Sequence, residues 1–142
     1  MLKSLVIASL AAAAVAAAGY AGQSNSHLTI PAEKTSPVDG KQMYISYCAP
    51  CHGMDGRGHG PVAPELKRQP IDLTVLSKNH GGQFPANHVK SVIEYGSEIP
   101  AHGNSMMPIW GPVFGRMGQG LPDERLLRIS NLSHYLETIQ TK

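Results

Sequence analysis

The segment Cys48-Ala49-Pro50-Cys51-His52 constrains this chain more than any other. Its two cysteines are the only ones in 142 residues, and a pair so close in sequence cannot close a long loop, so their purpose is local chemistry. C-x-x-C-H is the spacing of covalent haem attachment. Two cysteines at a helix end lie on one face, where their sulfurs can form thioethers with the vinyl groups along one edge of a haem. The next residue is then carried under the iron. Cys48 and Cys51 are therefore the expected covalent anchors and His52 the expected axial ligand. Two other readings ask for more than the chain offers. A redox-active dithiol wants a βαβ setting, which the pattern lacks, and a zinc site usually wants four ligands, whereas the seven histidines form no closely spaced pair.

The N-terminus fits the same chemistry. Lys3 precedes an apolar, alanine-dominated run from Leu5 to Ala18, followed by small residues and a polar stretch. This is the layout of a secretory signal peptide, assigned to residues 1–21, with an uncleaved membrane anchor as the alternative. Export to the periplasm is the expectation in both cases. Residues 22–36 are polar and aperiodic and read as a flexible linker, leaving residues 37–142 as one domain. A formal net charge of +2 provides no electrostatic footprint for nucleic acid.

Within the domain the pattern is all-α with long loops. Gly40, Met43, Tyr44, Tyr47, Cys48 and Cys51 recur at helical spacing, predicting a short helix that ends at the cysteine pair. From Gly53 to Pro70, glycines and prolines forbid regular structure and predict a wrapping loop. Asp72 and Thr74 open a short helix through about Ser77, ended by Gly81-Gly82; another starts near Pro85 to Asn87 and stops at Gly96. Residues 97–120 are again rich in glycine and proline and read as a second wrapping loop. A long last helix is predicted, with Pro122, Asp123 and Glu124 at its start and Leu132, Tyr135, Leu136 and Ile139 as its apolar stripe. Aromatic residues make up only 6% of the chain, so the side chains alone form a thin core that something else could fill.

A haem iron held by His52 has a second face. Met107, in the irregular segment Ser105-Met106-Met107-Pro108, is the expected sixth ligand through its thioether; His102 and Met106 are the alternatives in the same loop, and a vacant site is a further one. The other histidines, His27, His59, His80, His88 and His134, read as solvated or locally hydrogen-bonded.

Taken together, C-A-P-C-H-G at 48–53, G-R-G-H-G-P at 56–61, P-I-D-L-T at 70–74, M-P-I-W-G at 107–111 and L-x-x-Y-L at 132–136 resemble a class I monohaem cytochrome c of the bacterial exported type. The resemblance runs from about Val38 to Ile139. It implies a cytochrome c-like fold, a few helices wrapped around one haem c, with the first and last helices crossing where Gly40 and Tyr44 meet Leu132 and Tyr135. It also implies a proline carbonyl on the ring N–H of His52, with Pro61 the candidate and Pro64 second, and Trp110 near a haem propionate or simply covering the haem.

The function so implied is transfer of single electrons in a respiratory or dehydrogenase-linked chain, without catalysis. The expected partners are redox proteins: an oxidase, a reductase or a dehydrogenase. The chain would be a monomer or a complex subunit, with membrane association through its N-terminus as an option. The rival readings are a haem subunit of a larger oxidoreductase complex, and a haem enzyme or sensor with a labile sixth ligand.

Overall fold

The structure, a computed structural model, describes residues 33–96, 107–118 and 122–141. The proposed signal peptide and most of the linker lie outside them, as do His102 and Met106. The described part is helical, with no strand, and no helix in it is long and apolar enough to cross a membrane.

The chain begins its packed course with a nearly continuous helical run, α1 (Gly40–Met43), a π turn (Tyr44–Cys48) and α2 (Ala49–His52). Asp39 caps it by accepting the Gln42 N–H at 2.8 Å. The π turn has a cause in the sequence. Pro50 brings no N–H, and in a straight helix its ring would collide with the carbonyl of Ser46; the wider turn, with the Ala49 N–H on the Tyr44 carbonyl, makes room.

Two single 3-10 turns (Ala63–Glu65 and Leu73–Val75) punctuate the loops, and α3 (Leu76–Asn79) follows the second directly. Asp72 caps that turn, its carboxylate accepting the Thr74 N–H at 2.8 Å and the Thr74 hydroxyl at 2.6 Å. Helix α4 (Ala86–Tyr95) ends at Gly96, where a φ of 85° takes the backbone out of the helix.

Helix α5 (Trp110–Met117) corrects the expectation of a loop across residues 97–120, whose first part lies outside the described residues. Pro112 sits in the first turn, where an N–H would have no helical acceptor, so it does not break the helix. Helix α6 (Pro122–Thr138) is the long last helix that the apolar stripe predicts.

Helix α6 is the hub, packing on α1, α4 and α5. Its crossing with α1 is set by Gly40: a Cβ there would stand 2.2 Å from the Asn131 carbonyl oxygen. One turn on, the rings of Tyr44 and Tyr135 meet at 5.2 Å between centroids. The expected contact between the first and last helices is thus present. The interior continues through Ile93 of α4, Phe114 of α5, and Ile129, Leu132 and Leu136 of α6, all buried. Burying each such side chain stabilises by about 1.5–3 kcal/mol. Buried Glu94 and half-buried Arg125 form an ion pair between α4 and α6.

The boundary between linker and domain is also corrected. Glu33 to Ser36 belong to the packed unit. Thr35 is buried, its N–H donates to the Tyr47 hydroxyl at 3.2 Å, and the Tyr47 O–H donates to the Glu33 carbonyl at 2.6 Å. Arg128 of α6 is wholly buried and donates to the Thr35 carbonyl at 2.9 Å and to Glu124 at 2.7 Å. Polar residues that read as linker are thus the partners that make a buried guanidinium tolerable.

Candidate functional site

The site is built at the C-terminal end of α2. A helix end leaves its last carbonyls without partners, and here the following loop folds back to supply them. The N–H groups of Val62, Gly60 and Gly58 donate to the carbonyls of Pro50, Cys51 and His52 at 2.9, 3.0 and 2.7 Å. The glycines make this approach possible. A Cβ at Gly60 would lie 2.4 Å from the Pro50 oxygen, and one at Gly58 only 2.1 Å from the Pro70 oxygen. The alternate glycines that forbid helix and strand therefore let one stretch of backbone cap the helix and another pass beneath it. The buried Tyr44 hydroxyl fixes the turn by donating to the Gly53 carbonyl at 2.7 Å, and burial raises its pKa above that of an ordinary phenol.

Passing beneath is the segment that orients His52. The His52 Nδ1 lies 3.1 Å from the Ile71 carbonyl oxygen. A carbonyl can only accept, so Nδ1 carries the proton and Nε2 keeps its lone pair. Burial lowers the imidazole's pKa and the bond to Ile71 opposes that effect, so the ring favours its neutral, ligating form. The expectation that Pro61 supplies this carbonyl, with Pro64 second, is corrected. Both prolines are exposed, and the Gly58 contact delivers the chain at Pro70-Ile71 instead. Nothing in a sequence marks one backbone carbonyl over another, although Pro70 to Thr74 stood out as a stretch.

Cys48 and Cys51 are half-buried free thiols near His52, at the end of the π turn and within α2 of the same helical run. Burial, reinforced by the neighbouring Cys51, pushes the pKa of the Cys48 thiol up to about 12, and burial also raises that of Cys51. A thioredoxin-like dithiol needs the opposite, a depressed thiol at a helix N-terminus. Among the described residues no group of three or more His, Cys, Asp or Glu side chains could hold a metal ion, so a zinc site finds no ligand set there. Two neutral thiols beside a neutral imidazole with its Nε2 lone pair available are a donor set that fits a covalently held haem.

Met107 is half-buried and packs on the same core that Cys48, Leu73, Leu76 and Phe84 partly cover. Trp110 is buried, with its ring 5.1 Å from that of Tyr47 and 5.5 Å from that of Phe114, within the aromatic core at the start of α5. The alternative ligands His102 and Met106 lie outside the described residues.

The chain matches no protein-family model, no curated protein and no solved structure.

Proposed function

We propose that this protein is an exported monohaem c-type cytochrome with a cytochrome c-like fold, which passes single electrons between redox proteins and performs no chemistry on a substrate. The observation that carries the reading is the His52 imidazole at the end of the C-x-x-C helix, its Nδ1 proton committed to the Ile71 carbonyl and its Nε2 left to ligate.

Bound haem supplies an iron that gains or loses one electron. Cys48 and Cys51 would hold it through thioethers, formed by addition of each thiol across a haem vinyl group. His52 would ligate the iron through Nε2, and its bond to Ile71 would make the imidazole a stronger donor. Met107 would supply a thioether as the second protein ligand, a soft donor that would exclude substrate and favour the reduced state. A partner oxidase, reductase or dehydrogenase docks briefly through a small interface. The leader in residues 1–21 directs the chain to the periplasm.

The test is to produce the protein with a haem-attachment pathway and record its oxidised and reduced optical spectra, with and without carbon monoxide, for wild type and Met107→Ala. Haem that survives denaturing electrophoresis, a weak red absorption band lost in the variant, and little carbon monoxide binding by wild type are the expected results. Ready carbon monoxide binding by wild type, indifferent to the substitution, removes Met107 as ligand and puts an enzyme or sensor with a labile sixth ligand ahead.

A further inference from the structure

We propose that Gln140, just beyond the end of α6, is a positioning residue for His52, acting through Leu73 and the Ile71 carbonyl; the inference rests on His52 being the haem ligand. The Gln140 amide staples the segment that follows Ile71. Its Nε2 donates to the Leu73 carbonyl at 2.7 Å and to the Leu136 carbonyl at 2.8 Å, while its Oε1 accepts the Ser77 N–H at 2.9 Å. A carboxamide offers two N–H donors and a carbonyl acceptor together, which matches these three bonds. Thr141 adds a second pair of bonds on one carbonyl, its N–H and hydroxyl reaching the Thr74 oxygen at 2.8 and 3.0 Å.

Leu73 is thereby held at both of its backbone groups, since its N–H donates to the Gly56 carbonyl at 2.7 Å. The Ile71 carbonyl lies two residues upstream of this double anchor and depends on it for its aim at His52. A firm Nδ1–H bond makes the imidazole more basic and favours ferric iron, so loosening the anchor should raise the reduction potential.

The experiment uses the full, haem-loaded protein as wild type, Gln140→Ala, Thr141→Val and Thr138→Ala. It reads the hydrogen-exchange rate of the His52 Nδ1–H by NMR in the reduced state, and the midpoint potential. Thr138 is the control, because it lies at the same helix end but its hydroxyl donates to the Tyr135 carbonyl. Losing the staple should speed exchange about tenfold in Gln140→Ala, with a higher potential. Thr141→Val, which keeps its N–H and loses only the hydroxyl bond, should move both readouts the same way by less, and Thr138→Ala should match wild type. A Gln140→Ala protein that matches wild type, or a Thr138→Ala protein that reproduces its change, overturns the inference and leaves the haem reading standing. Wild type without covalent haem overturns both.

Discussion

Gly40 and Asn131 are in backbone contact: the site where a side chain would begin on residue 40 lies 2.2 Å from the Asn131 carbonyl oxygen and 3.0 Å from the Tyr135 Cβ. The opposing atoms belong to the middle of α6, which cannot yield without lifting off α4 and α5 as well. The crossing is therefore steric in origin, and glycine sets how closely the helices approach. Gly40→Ala should destabilise by about 3 kcal/mol, the upper part of the range for overpacking, even though alanine is the better helix former. Denaturant unfolding of the two proteins measures it. A gain in stability would mean that the crossing is looser than this contact implies.

Among the described residues Arg128 is the largest fully buried side chain, and its guanidinium donates to Glu124, to Thr35 and to the Met43 sulfur. Removing the guanidinium leaves the buried Thr35 carbonyl without that donor and the partly exposed Glu124 carboxylate without its ion-pair partner. Arg128→Met should cost about 3 kcal/mol, and adding Glu124→Leu should recover part of it, because the uncompensated charge is then gone as well. The same substitution should release the segment at Thr35, seen as faster amide exchange there. Unchanged exchange at Thr35 would show that Tyr47 holds the segment alone.

The reach of the sequence can be judged from these residues. Helices α4 and α6 were legible because periodicity, caps and stop signals agreed. Cys48, Cys51 and His52 stood out as a group because their spacing is written in five adjacent residues, and the structure keeps them on one helical run that ends at His52. Helix α5 was hidden by Gly111, Pro112 and Gly115, which read as breakers. In the fold Pro112 falls in the first turn, and Gly111 is needed because a Cβ there would lie 2.5 Å from the Glu94 carbonyl oxygen. The burial of Arg128 is not marked in the sequence, since a glutamate and an arginine one helical turn apart look the same whether their face is wet or buried. The Ile71 carbonyl could not be read at all. Every residue type carries one, and only the path of the chain beneath α2 selects it.

Asp72 joins fold stability to pH. Its bond from the Thr74 hydroxyl, the largest influence, and that from the Thr74 N–H hold its carboxyl below the usual range. A depressed folded-state value means that the unfolded chain takes up the proton first as pH falls. The stabilisation is therefore complete above the ordinary aspartate value of about 4 and is lost on acidification below it. Asp72→Asn should flatten this part of the acid-unfolding curve, and Asp72→Ala should cost about 1 kcal/mol at neutral pH through loss of the cap. Curves of equal slope for wild type and Asp72→Asn would place the acid sensitivity elsewhere.

Gly58 and Gly82 separate contact from conformation. Both have left-handed backbones, with φ of 85° and 88°. Around Gly82 a Cβ would meet nothing within 4 Å, whereas at Gly58 it would stand 2.1 Å from the Pro70 oxygen. Gly82→Ala should therefore show backbone strain alone, about 1 kcal/mol, and leave the His52 environment as in wild type. Gly58→Ala must also push Pro70 and Ile71 away from the helix end, which lengthens the bond to His52 Nδ1. It should be the less stable variant by a further margin, and in the haem-loaded protein it should speed exchange of the Nδ1 proton where Gly82→Ala does not. Pro61→Ala, at the exposed proline, should leave that exchange unchanged. If it sped exchange while Gly58→Ala did not, His52 would be held by the Pro61 carbonyl after all.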